Sequence, residues 1–170
     1  MNKDIWVISD THFGHSNIIK YCDRPYHDIE EMDWNMVEKW NSVVKPGDKV
    51  YHLGDVYMGN KERVNNILSH LNGHKRLILG NHDDGKDPIL HKYFRKIDMW
   101  RRFPEHNVLL THVPVHESSL REGRFKGEKK KMINVHGHIH NNPSPKGPYK
   151  CVCVEQINYT PIHIEELRKL

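Results

Sequence analysis

The octapeptide IWVISDTH, Ile5 to His12, joins four consecutive apolar residues to an aspartate and a histidine two positions apart. A short run rich in β-branched residues that ends in small polar ones reads as a buried strand. Asp10 and His12 then stand where that strand leaves its sheet, both on one face if the chain stays extended. The arrangement recurs along the chain. Val50 to Leu53 leads to Asp55, Leu77 to Leu79 leads to Asn81 and His82, Val108 to Leu110 leads to His112, and Ile133 to Val135 leads to His138 and His140. Polar side chains gathered at strand ends mark the edge at which open α/β sheets carry their sites.

Between these runs the apolar spacing changes to that of helices. Met32, Val37, Trp40 and Val44 form a stripe from about Glu30 to Val44, closed by Pro46-Gly47, with Trp34 and Trp40 read as core. Val64, Ile67, Leu68 and Leu71 form another, closed by Asn72-Gly73. Strand and helix in alternation give a layered α/β fold. The last third is richer in strands, with Cys151 to Val154 added, so the sheet is expected to be mixed. Pro143, Pro145, Gly147 and Pro148 mark an exposed turn, and a short helix from Ile164 to Leu170 closes the chain.

A chain of 170 residues suits a single domain, 1–170, with no cap domain. No apolar run approaches the roughly 20 residues of a membrane span, and Asp4 interrupts the start, so neither span nor leader is expected and the cytoplasm is the default address. The odd cysteine count, with Cys151 and Cys153 one residue apart, suggests reduced thiols. The net charge of +4 favours anionic ligands. Much of it lies in Arg121, Arg124, Lys126, Lys129, Lys130 and Lys131, a stretch poor in apolar residues that reads as a solvated, mobile loop, or as a flap that clamps a phosphorylated substrate.

Asp10, His12, Asp55, Asn81, His112, His138 and His140 make seven candidate metal ligands, too many for one tetrahedral ion and suited to two ions that share a carboxylate. Two divalent cations bring four positive charges; Asp10, Asp55 and a bridging hydroxide remove three. The remaining positive charge attracts a phosphate ester. The neutral Asn81 preserves that charge where a carboxylate would cancel it.

The blocks SDTH at Ser9 to His12, GD at Gly54 to Asp55, GNHD at Gly80 to Asp83, TH at Thr111 to His112 and GHIH at Gly137 to His140 resemble, in order, the five signature blocks of the calcineurin-like metallophosphoesterases. The run SDTHFGHSNII resembles the small bacterial and phage members most closely. The resemblance implies a four-layer sandwich in which two mixed sheets are flanked by helices. It implies Asp10, His12, Asp55 and His140 around one metal and Asp55, Asn81, His112 and His138 around the other. It also implies His82 beside the scissile ester, assisting the leaving oxygen. Many members follow the glycine-aspartate pair with an aspartate and an arginine. Here Val56, Tyr57, Met58 and Gly59 follow, which argues against a phosphoprotein phosphatase and leaves the partner of His82 unassigned.

These readings predict a phosphoric ester hydrolase in which metal-activated hydroxide attacks phosphorus, with Asp55 and His82 essential. Manganese is the first ion to consider, with iron, zinc and nickel as alternatives for the same ligands. The expected substrates are small nucleotide-like phosphodiesters, with phosphomonoesters compatible. Arg24 and His15 are the candidate substrate contacts, Arg24 because a guanidinium can hold two phosphate oxygens at once. The alternatives are a nuclease acting on DNA or RNA ends and a metal-binding scaffold without chemistry. Histidines outside the blocks, such as His27, His52 and His70, are expected to be structural.

Overall fold

The computed structural model describes residues 4–168 and, at Arg124, the backbone alone. The first sheet joins β1 (Ile5–Ile8), β2 (Lys49–His52), β3 (His74–Ile78) and β4 (Ile97–Asp98) in parallel, with β11 (Ile162–His163) antiparallel on the outer side of β1. The second sheet runs β10 (Tyr149–Cys151), β9 (Ile133–His136), β6 (Val108–Thr111), β5 (Trp100–Phe103), parallel except for the antiparallel edge strand β5. Both sheets are mixed. Four helices complete the frame: α1 (Ser16–Tyr21), α2 (Ile29–Val43), α3 (Lys61–Ser69) and α4 (Pro88–Tyr93).

Why the opening run carries no polar alternation is plain from its two faces. Val7 lies in the cluster between the sheets with Tyr51, Leu53, Ile78, Leu110 and Val135, while its neighbour Ile8 lies in the cluster beneath the helices with Met32, Trp40, Val50, Ile67 and Leu77. A strand buried on both faces reads as a continuous apolar run. All four helices place apolar residues in the second of these clusters, on the outer face of the first sheet. The second sheet is flanked by one-turn 3-10 helices at Pro104–His106 and Glu117–Ser119. Helix starts are set locally: Asp28, Asn60 and Asp87 accept from the backbone of Glu31, Arg63 and Ile89 at the N-termini of α2, α3 and α4, each such cap contributing about 1 kcal/mol.

Three local expectations are revised. The basic stretch is a hairpin, β7 (Glu122–Phe125) paired with β8 (Glu128–Lys131). Its two-residue turn, Lys126-Gly127, has positive φ at both positions, the requirement of the tight hairpin turns that match strand twist. Its strand lysines are paired, Lys129 with Glu122, Lys130 with Glu128 and Lys131 with Glu117. The strand expected over Cys151 to Val154 ends at Cys151, because Val154–Gln156 turns as a 3-10 helix. The C-terminal helix is a single 3-10 turn, Glu166–Arg168; residues 169 and 170 lie outside the described residues.

No described helix is long and apolar enough to cross a membrane. Cys22, Cys151 and Cys153 are free and buried.

Candidate metal centre

Past the end of β1 the chain does not stay extended. Asp10, His12, Asp55, His138 and His140 all have positive φ, at 58°, 49°, 54°, 71° and 48°. Few residues other than glycine adopt this region. The expectation that alternation in an extended segment puts Asp10 and His12 on one face is therefore corrected: successive left-handed turns aim them. Hydrogen bonds hold the turns, since Asp10, His12 and Phe13 donate their backbone N–H to Gly54, Asp55 and Val56 carbonyls at 3.0–3.1 Å. The two loops zip together beyond the sheet.

Glycines admit this crowding. A Cβ at Gly80 would lie 2.2 Å from Asp55 Oδ1, and one at Gly137 would lie 2.2 Å from Asp10 Oδ2. Neither glycine has positive φ, so the need is close approach and not a turn.

The side chains so aimed form two groups joined by one carboxylate. Asp10, His12 and His140 bring ligand atoms within 4.8 Å of one another, and Asp55, His112 and His138 do the same. Asn81 joins the latter, its Oδ1 lying 2.8 Å from His112 Nε2 and 2.9 Å from His138 Nδ1. Asp55 Oδ2 stands between the groups, 3.6 Å from His12 Nε2 and 3.5 Å from His112 Nε2. Asp10 Oδ1 lies 4.0 Å from His12 Nε2 and 3.7 Å from His140 Nε2.

Whether a cation fits is decided by atoms that nothing else satisfies. Asp10 Oδ1 and His12 Nε2 are buried with no hydrogen-bond partner among the described residues, and an orphaned buried acceptor costs roughly 1–3 kcal/mol or more. Burial raises the Asp10 carboxyl above its ordinary range against the pull of His112, Ser9, His138 and His140. Burial, helped by the Arg24 guanidinium and the nearby imidazoles, drives His12 down to about 2, which leaves it a neutral ligand nitrogen. At His140 burial is outweighed by hydrogen bonds with Cys22 and Glu155 and by the Glu155 and Asp10 charges, which lift it to about 10. The field at that point favours a cation, and the donor set of imidazole and carboxylate suits a first-row divalent ion.

The ligands are also oriented from behind. His112 Nδ1 donates to the Leu53 carbonyl at 2.7 Å, which turns the Nε2 lone pair inward. His140 Nδ1 faces Glu155 Oε1 at 3.0 Å, the carboxylate–histidine arrangement that fixes ring and tautomer behind a metal. His52, pushed down to about 3 by burial and His112, bonds Thr11 through Nε2 at 2.8 Å.

Arg24 does not reach a substrate. Its guanidinium is buried beneath the centre, where it donates to the Thr11 and Asp10 carbonyls at 2.8 Å each and to Glu155 Oε1 at 2.9 Å from Nε and 2.8 Å from Nη2. All its directional capacity is used on protein, so the expected phosphate contact is replaced by a positioning role. The same cation makes the Cys22, His140 and Glu155 cluster a backing layer and not a third metal position, although its ligand atoms also lie within 4.8 Å of one another. Asp83 likewise faces away from His82: its carboxylate accepts from the backbone N–H of Asp55, Val56 and Gly80 at 2.8–3.0 Å and clamps two site loops together.

His82 and His15 stand at the edge of the centre. The His82 ring is exposed, its centroid 5.8 Å from that of His12, and its backbone N–H donates to Asp55 Oδ1 at 2.9 Å. His15 Nδ1 lies 3.3 Å from His12 Nδ1. With Tyr21 and His140 they line a cavity of about 680 Å³. Sequence reading gives no role to Glu155 and offers Asp83 only as a candidate partner of His82, where the structure makes it a loop clamp. Asp83 sits inside the GNHD block and was visible there; Glu155 carried no signal, being 131 residues from its partner Arg24.

Comparison with known proteins gives a consistent result. Residues 4–153 match the model of the calcineurin-like phosphoesterase superfamily domain. The chain is 36% identical to "Uncharacterized protein MJ1445" of Methanocaldococcus jannaschii, with 99% of this chain and 91% of that protein aligned. It is 30% identical to the "Gene 66 protein" of Mycobacterium phage L5, over 82% of this chain and 78% of that protein. Among solved structures it is similar to the protein of unknown function AQ665 from Aquifex aeolicus, with a TM-score of 0.74, 28% identity and 99% of both chains covered.

Proposed function

Because this chain belongs to the calcineurin-like phosphoesterase superfamily and is a metallophosphoesterase with metal-binding clusters, we propose that it hydrolyses phosphodiester bonds of small nucleotide-like substrates at a dinuclear divalent centre. Manganese is the proposed ion, and the proposed setting is a single cytoplasmic domain without a cap over the cleft. One observation carries the reading: Asp55 Oδ2 lies about equally far from His12 Nε2 and His112 Nε2, at 3.6 and 3.5 Å, as a carboxylate shared by two cations must.

Asp10, His12, His140 and Asp55 would hold one cation; Asp55, Asn81, His112 and His138 would hold the other. Two such ions supply the positive charge that makes hydroxide available near neutral pH and neutralises phosphate oxygens during in-line displacement. The residues do the rest. Asp55 fixes the separation of the two groups. His82, exposed at the rim and 5.8 Å from His12 by ring centroid, is placed to donate a proton or hydrogen bond to the leaving oxygen. His15, in the same cavity, is placed to touch the ester's substituent.

The test is turnover of bis(4-nitrophenyl) phosphate by the purified chain with manganese, before and after chelation. Activity should vanish with chelator and return with metal. His82→Ala should lower kcat by roughly 100-fold. Undiminished activity after exhaustive chelation, or in His82→Ala, overturns the assignment.

A further inference from the structure

Among the described residues the exposed large hydrophobic side chains are Tyr21, Met99, Trp100 and Val113, at 73%, 68%, 59% and 44% exposure. They are not scattered. Tyr21 lines the cavity that holds His12, His15, His82 and His140. Met99, Trp100 and Val113 line a separate groove of about 620 Å³ that reaches Gly80, Asn81 and His112, on the other flank of the centre. Clustered exposed apolar surface marks a binding site, and here it abuts both halves of the metal centre.

The groove follows from strand register. Trp100 on β5 is paired with Thr111, the residue before His112, and Arg102 is paired with Leu109. Trp100 and Arg102 are two residues apart, so they rise from one face of the edge strand, about 7 Å from each other. Leu109 and Thr111 form the floor between them and the centre. Arg121 completes the far end, and with Arg102 it lines the adjoining cavity of about 330 Å³. Neither guanidinium has a side-chain hydrogen bond or ion pair among the described residues. Beginning at the metal centre, the groove therefore presents a flat aromatic face and then two uncommitted cations. That sequence of surfaces suits a nucleobase followed by its phosphate.

Resting on the phosphoesterase reading above, we propose that the substrate is a phosphodiester joining two nucleosides, one stacked on Trp100 in the groove and the other against Tyr21, with the scissile phosphate over the centre between them. A free dinucleotide and the end of a strand share this chemistry. The arrangement favours a diester over a monoester, which has only one arm, and over a cyclic mononucleotide, which cannot occupy both flanks.

The experiment measures kcat and KM with manganese for thymidylyl-thymidine, the same dinucleotide carrying a 5′-phosphate, a 20-nucleotide strand, 2′,3′-cyclic AMP and 4-nitrophenyl phosphate. Trp100→Ala should raise KM for the dinucleotide roughly 5- to 100-fold, the range of one lost base stack, with kcat and the 4-nitrophenyl phosphate reaction changed less than about twofold. Trp100→Phe should keep most of the affinity. Arg102→Ala with Arg121→Ala should abolish any advantage of the 5′-phosphate. A strand cleaved with lower KM than the dinucleotide identifies strand ends as the source; the reverse identifies free dinucleotides. Manganese-dependent cleavage of the dinucleotide by Trp100→Ala with an unchanged KM overturns the two-arm proposal and leaves the phosphoesterase reading intact. A Trp100→Ala chain that changes oligomeric state while dinucleotide kinetics stay fixed places a second copy in the groove and overturns it too. Failure of wild type on every ester overturns both readings.

Discussion

The two halves of the metal centre use the same residue types at different depths. On one side Asp10 and His12 are 0% and 2% exposed, and two of their ligand atoms have no partner. On the other, Asn81 and His138 are exposed, and the ligand atoms lie within hydrogen-bonding distance of one another around Asn81 Oδ1. The buried half rests on charge, in the chain Arg24, Glu155, His140. The open half rests on the backbone, through the Leu53 carbonyl and the Asp83 clamp. Orphaned, buried, charge-backed ligands gain most from a cation, while exposed ligands that water can reach, such as Asn81 and His138, gain less. We therefore expect two-step metal binding, tighter at the His12 half, with the exchangeable ion on the side that opens to the Trp100 groove.

The largest effect should come from breaking the charge support of the buried half. Arg24→Met removes one of the two cationic partners of Glu155 where the arginine and carboxylate side chains are nearly inaccessible, at 0% and 3%, and leaves His140 as the other; breaking a buried pair costs up to roughly 3–5 kcal/mol. Urea unfolding of the metal-free protein reads it directly. Adding Glu155→Gln should recover much of the loss; if it recovers none, Arg24 matters for its carbonyl contacts and the charge account of this half is wrong.

Next is the residue common to both halves. Asp55→Asn keeps its size and removes the shared charge, so turnover of an aryl diester should fall roughly 100-fold or more. Calorimetric metal titration should show both steps weakened. A variant in which only one step moves would mean that Asp55 serves one half alone.

How much of this division was legible in the sequence differs by half as well. All seven ligand candidates are visible because each follows an apolar strand core, and strands such as Ile5–Ile8 and helix Ile29–Val43 lie close to where periodicity puts them. The backing is less visible. Arg24 and Glu155 meet only through the fold, and the arginine's chemistry suits phosphate as well as carboxylate, so residue type alone pointed the wrong way. Left-handed backbone at Asp10 and His12 leaves no compositional mark, since neither is glycine. The hairpin Glu122–Lys131 lacks the alternating apolar residues that signal strands; its tight Lys126-Gly127 turn and one cross-strand pair, Lys129 with Glu122, align it instead. The partition of strands into two sheets was implied by family resemblance and not by periodicity, which does not encode which strand ends up beside which.

A smaller effect should isolate the open half. Asp83→Ala releases the backbone N–H groups of Asp55, Val56 and Gly80, and loss of such outer support typically weakens a site about 10- to 100-fold. Because the clamp joins the Asp55 loop to the loop carrying Asn81, the weaker metal step should shift more than the tighter one. Equal shifts in both would show that the halves are not supported independently.

The smallest effect distinguishes the two oxygens of a single carboxylate. Asp10 Oδ2 accepts from the Ser9 hydroxyl, from the His138 backbone N–H at 2.9 Å and from the Cys153 thiol at 3.3 Å. Asp10 Oδ1 accepts from nothing among the described residues. One oxygen holds the side chain in place and the other is left for the cation. Ser9→Ala removes one of three holding donors, and the alanine leaves no polar atom behind. The expected cost is that of one hydrogen bond, about 1 kcal/mol, or about a 5-fold weaker tight step in the metal titration. A loss of roughly 100-fold would mean that the hydroxyl itself sets the carboxylate's geometry, and that the buried half is tuned through Ser9 more than through Arg24 and Glu155.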